Sequence, residues 1–88
     1  MLNLYLISQN IRCDYDTYDS AVVCAESEDD ARRMHPDGRG DAFVPEKGRR
    51  KVRYKTWCDR PDQVTVIGLG IAIGDVKRGV VCASFNAG

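Results

Sequence analysis

At 88 residues, with 43% hydrophobic and 30% charged side chains, the chain has the length and balance of one folded domain built on one core. Its apolar runs exclude disorder of the whole chain, and so small a core leaves little room for an enclosed active site. Thirteen acids and thirteen bases cancel overall, yet residues 1–46 hold ten acids and four bases, and residues 47–88 hold three acids and nine bases.

In chain order, Leu2-Asn3-Leu4-Tyr5-Leu6-Ile7-Ser8-Gln9 alternates and is rich in strand formers, so it reads as the first strand. A polar, tyrosine-rich connection over residues 10–19 leads to a second strand over 20–25, paired antiparallel with the first. Ser27-Glu28-Asp29-Asp30 matches a helix start, with a hydroxyl to cap a free amide and acids facing the positive end of the helix dipole. The helix is expected over 28–35 and must stop before Pro36, which disfavours helical geometry in the residue preceding it. Residues 36–48 form a turn-rich loop, expected to be flexible. Residues 49–57 alternate, with Val52, Tyr54 and Thr56 on one face and Lys51, Arg53, Lys55 and Trp57 on the other, as in a charged edge strand. Strands over 64–73 and 80–85 complete the chain. The first of these contains Gly68 and Gly70, which mark a bulge or a close backbone approach.

The expected fold is therefore α+β, an antiparallel four- to five-stranded sheet with one short helix on one face (ββαββ-like), spanning 1–88 as a single domain. Its expected core is Leu4, Leu6, Val22, Cys24, Ala31, Met34, Val66, Ile71, Val81 and Ala83. The apolar stretches 1–7 and 64–73 are too short for a signal sequence or a membrane span, so a cytoplasmic protein with reduced thiols is expected.

Few residues carry a chemical signature. Cys13, Cys24, Cys58 and Cys82 lack the close Cys-x-x-Cys spacing of a zinc knuckle, and Cys24 and Cys82 sit in apolar runs as core thiols do. His35, the single histidine, is placed to cap a helix C-terminus, and a Cys58–His35 pair is the weaker alternative. Gly68-Leu69-Gly70-Ile71-Ala72-Ile73-Gly74 is out of register with a dinucleotide fingerprint, and no helix pattern follows it. No cofactor, metal or catalytic residue is expected.

The charged segments remain. Residues 14–30 carry seven acids and no base, and Asp14, Tyr15, Asp16, Tyr18 and Asp19 place carboxylates among tyrosines, a pairing that suits a protein interface. Residues 47–55 carry six bases, and Arg49, Arg50, Arg53, Lys55 and Trp57 form a second candidate contact surface. With Lys47 and Lys51, the same segment offers the alternative of direct nucleic-acid binding, phosphates held by bases and nucleobases stacked on an aromatic ring. Either way, the expected function is non-catalytic binding.

Two stretches, Tyr15-Asp16-Thr17-Tyr18-Asp19-Ser20-Ala21-Val22-Val23 and Gly79-Val80-Val81-Cys82-Ala83-Ser84-Phe85-Asn86-Ala87-Gly88, resemble small proteins encoded by tailed phages and prophages. The order of two strands, a helix opening near Ser-x-x-Asp and further strands also resembles some anti-CRISPR proteins, small phage inhibitors that bind host nuclease complexes without being enzymes. The resemblance implies an inhibitor in the bacterial cytoplasm whose partner is a host protein or ribonucleoprotein complex. It would act by covering a surface or by mimicking nucleic-acid charge. No residue's role is carried over by motif.

Overall fold

The computed structural model describes residues 1–13, 15–38, 42–43, 56–58 and 60–86. Strand β1 (Asn3–Ser8) pairs antiparallel with strand β2 (Thr17–Ala25), setting Asn3 opposite Ala25 and Ser8 opposite Ser20. A single-turn helix α1 (Glu28–Arg32) follows, and a 3₁₀ turn (Pro61–Gln63) leads into β3 (Thr65–Ile71) and then β4 (Gly79–Asn86). The sheet order is β3-β1-β2-β4 with every neighbouring pair antiparallel, so β3 and β4 are the edges among the described residues. The expected α+β architecture of four antiparallel strands and one short helix is present. The expected fifth strand and most of the 36–48 loop lie outside the described residues. Among the described residues, no helix is long and apolar enough to cross a membrane.

Helix α1 starts where the sequence places it: Ser27 accepts the Asp30 N–H through its hydroxyl at 3.1 Å. It ends earlier than expected. The amides of Arg33 and Met34 bond three residues back, which tightens the turn, and the Arg33 carbonyl is taken by the Ala42 N–H at 2.8 Å. Arg32 anchors the helix by donating from its guanidinium to the Val64 carbonyl at the entrance to β3.

The helix covers one face of the sheet. Ile7, Ala21, Val23 and Ala25 from the strands form one cluster with Ala31, Met34, Trp57, Cys58 and Val64, flanked by half-buried Tyr5, Tyr18, Val66 and Val80. Half of the expected core, Leu4, Leu6, Val22, Cys24 and Val81, therefore lies on the side of the strands away from α1. Cys24, Ala31 and Met34 are buried and Val66 packs at the margin, but Leu4, Leu6 and Val22 are half-buried on the opposite face. Ile71, Val81 and Ala83 are exposed. Both faces of β1 and β2 are apolar, so alternation alone leaves the covered side open. Small residues at Ala21, Ala25 and Ala31 let a helix sit close to one side, and Trp57 fills the space left there.

Both edge strands are interrupted. In β3 the register slips opposite Leu4 and Tyr5, which leaves Leu69 as an extra residue between Gly68 and Gly70. Gly70 has φ +144°, a backbone setting that side chains strain against, so glycine is needed for the bulge expected in this segment. In β4 the register slips between Val22 and Val23 and leaves Val81 as the extra residue.

Candidate interaction site

The β1–β2 connection is built around Gln9. Its side-chain amide donates to the carbonyls of Arg12 (2.9 Å) and Tyr18 (2.8 Å), and its oxygen accepts the amides of Ile11 (2.8 Å) and Arg12 (2.9 Å). All four hydrogen-bonding positions of a buried primary amide are thereby used. The Gln9 N–H also bonds the Asp19 carbonyl at 3.2 Å, so one residue ties both ends of the connection together.

Held by this clamp, the chain turns at Tyr15 and Asp16. Asp16 takes φ +62°, a left-handed setting that aspartate tolerates better than most residues, and its N–H bonds the Asn86 carbonyl at the end of β4. Tyr15 is 73% exposed, and Asp16 and Asp19 are exposed beside it. Asp19 is the extra residue of a bulge between Tyr18 and Ser20, and its carboxylate accepts the Ser20 hydroxyl at 3.1 Å. Tyr18 turns inward. Its ring lies 4.7 Å from that of Phe85 and 5.9 Å from His35, edge-on to the imidazole. Phe85 is 45% exposed and precedes Asn86, whose carbonyl holds the Asp16 N–H.

Of the ten expected contact residues, Tyr15, Asp16 and Asp19 are exposed, and Tyr18 is half-buried against Phe85 and His35. Asp14, Arg49, Arg50, Arg53 and Lys55, together with Lys47 and Lys51, lie outside the described residues. Trp57 is corrected: it is 3% exposed and belongs to the core, so its ring has no free face on which a nucleobase could stack. Sequence reasoning missed Gln9, Phe85 and Asn86. Gln9 reads as the polar start of a loop, and the other two reach the site through the β2–β4 pairing, which is distant in sequence.

The residues considered for chemistry have structural partners. The His35 ring accepts the Asp37 N–H at Nδ1 (3.0 Å) and pairs at Nε2 with the Thr56 hydroxyl (3.1 Å). The Cys58 thiol is buried and points to the Arg60 carbonyl at 3.6 Å. None of the four cysteines is disulfide-bonded. Cys24 and Cys58 are buried, whereas Cys13 and Cys82 are exposed, which corrects the expected placement of Cys82 in the core. Among the described residues, no three His, Cys, Asp or Glu side chains come together as a metal site would require.

Across the helix from the turn, Asp30 and Arg78 form a two-pronged ion pair between α1 and the start of β4. The Arg78 hydrogen bonds hold the Asp30 carboxyl below its ordinary range, against the opposing effect of partial burial. This pair borders an open cleft of about 280 Å³ with Met34, His35 and Val80 on its walls.

The fold and surface define a small α+β domain with an acidic, aromatic turn at one end of its sheet. No protein-family model matches the chain, and no curated protein or solved structure matches it either.

Proposed function

We propose that this protein is a non-catalytic binding domain that docks a basic macromolecular surface through Tyr15, Asp16, Asp19 and Phe85. The observation that carries this reading is the exposure of Tyr15, Asp16 and Asp19 on a connection clamped by Gln9, with the exposed ring of Phe85 one residue from the Asn86 carbonyl that holds the Asp16 N–H. A preorganised turn loses little entropy on binding, aromatic rings supply contact area, and carboxylates steer and orient a cationic partner. The resemblance to phage inhibitors gives the partner class: a host defence or nucleic-acid-processing complex whose basic groove normally takes a phosphate backbone. The acidic turn would occupy that groove by charge mimicry.

Affinity purification from a bacterial host with the wild-type chain, Tyr15→Ala and Asp16→Asn tests this reading. Asparagine keeps the left-handed backbone at position 16 while removing the charge. A partner retained by the wild type, released by moderate salt and lost from both variants supports the proposal. Equal recovery by all three chains removes it.

A further inference from the structure

Among the described residues, the strand positions on the face of the sheet away from α1 are uncharged, apart from Asp19 beside Ser20 at its rim. Register and alternation place Leu4 and Leu6 of β1, Ser20, Val22 and Cys24 of β2, Thr65, Ile67 and Leu69 of β3, and Val81, Cys82 and Ser84 of β4 on it. Both bulges add to it, since Leu69 and Val81 are extra residues turned to the same side as Gly70 and Cys82. Ile67 is 50% exposed, Leu69 51% and Val81 52%, with Leu4, Leu6 and Val22 half-buried between them. Four strands about 4.8 Å apart and about 20 Å long make a face of roughly 400 Å² before side-chain relief is added. That lies within the roughly 300–600 Å² of the largest apolar patch on a typical monomer, patches that are often functional.

We infer that this face is covered by the same face of a second copy of the chain, forming a two-fold dimer with the two sheets stacked. Three features select a second copy over another partner. Among the described residues, the centre of the face offers no charge with which to recognise or orient a charged macromolecule, whereas its hydroxyls at Thr65 and Ser84 can pair with their own kind. The chain's net charge is zero, so two copies approach without long-range repulsion. An identical sheet brings identical twist, the condition under which antiparallel sheets stack with their strands close to aligned. Pairing through the edges is the competing geometry. β3 and β4 are uncharged, but a bulge in each breaks the row of backbone groups that a second strand would need. With side-chain relief included, two such faces bury about 1,000 Å², close to the lower bound for a specific interface, so the dimer should dissociate in the micromolar range.

Sedimentation of the full chain across roughly 1 to 300 μM reads the equilibrium directly, because a micromolar dimer changes mass within that span. The expected result is a mass that doubles with concentration. Ile67→Glu and Leu69→Glu, each at a half-exposed position, should hold the chain at the monomer mass with its circular dichroism unchanged, whereas Tyr15→Ala should leave the dimer intact. A second readout needs no substitution: alkylation of Cys82 should slow several-fold as wild-type concentration rises, and alkylation of Cys13 should not. A wild-type chain that stays monomeric throughout, a dimer that survives both charged variants in folded form, or a Cys82 rate independent of concentration would each overturn the inference. Loss of the dimer leaves the acidic turn untouched, so this result and that of the Tyr15 and Asp16 variants are independent.

Discussion

Replacing Gln9 with leucine keeps its bulk and removes four hydrogen bonds at once. The amides of Ile11 and Arg12 and the carbonyls of Arg12 and Tyr18 would lose their partner, some of them away from water. A buried group left unpaired costs about 1–3 kcal/mol, so the midpoint of urea unfolding should fall by an amount equivalent to about 2 kcal/mol. Gln9→Glu is the sharper variant. A carboxylate can still accept from the two amides, but it faces two carbonyl oxygens with no proton to offer. It should fail to restore stability at neutral pH, and amide exchange over residues 10–19 should quicken in both variants. Full stability in the glutamate variant would show that the two donated bonds contribute nothing. None of this was legible in the sequence, where a polar residue after a strand reads as the start of a loop. The role of Gln9 depends on where Tyr18 returns.

At the level of elements, α1 is a single turn and relies on its cap. Ser27→Ala removes the acceptor for the Asp30 amide and should cost about 1 kcal/mol, visible as a lower thermal midpoint. The Asp30–Arg78 pair then ties this turn to β4. Because hydrogen bonding from Arg78 lowers the folded-state value for Asp30, the pair's contribution is fully present above the ordinary value of 3.8. It is lost as pH falls through the lowered folded value. Arg78→Ala should therefore be less stable than wild type at pH 6, by at most about 1 kcal/mol because solvent screens the pair. The two chains should converge under strongly acidic conditions. A stability gap that persists there would assign the effect to lost packing instead of charge. The helix start was legible because Ser27 and Asp30 are local to one another, and the bulge in β3 was legible from Gly68 and Gly70. The covered face was not. Leu4 and Leu6 look as fit for burial as Tyr5 and Ile7, and the choice was made by Ala21, Ala25 and a tryptophan more than thirty residues away.

Trp57 bears on the whole molecule because it joins a distant segment to the sheet. The backbone carbonyl of the neighbouring Thr56 accepts the Tyr18 N–H at 2.9 Å, and the indole ring completes the cluster around Ile7 and Val23. As the chain's single tryptophan, it also reports on folding: emission should be blue-shifted in the native state and move to the red in one transition on unfolding. A domain of this length has about 4–13 kcal/mol of stability in total. Trp57→Ala costs about 3–5 kcal/mol by itself and should leave much of the chain unfolded at room temperature. Trp57→Phe should be milder than its lost volume suggests. The indole Nε1 is buried with no hydrogen-bond partner among the described residues, so phenylalanine removes an unsatisfied donor along with part of the apolar surface. Thermal unfolding followed by circular dichroism should place Trp57→Phe about 1–2 kcal/mol below wild type and well above Trp57→Ala. If the two variants unfold together, the indole N–H must make a bond that the folded chain depends on, and the segment carrying Trp57 is held by more than its apolar contacts.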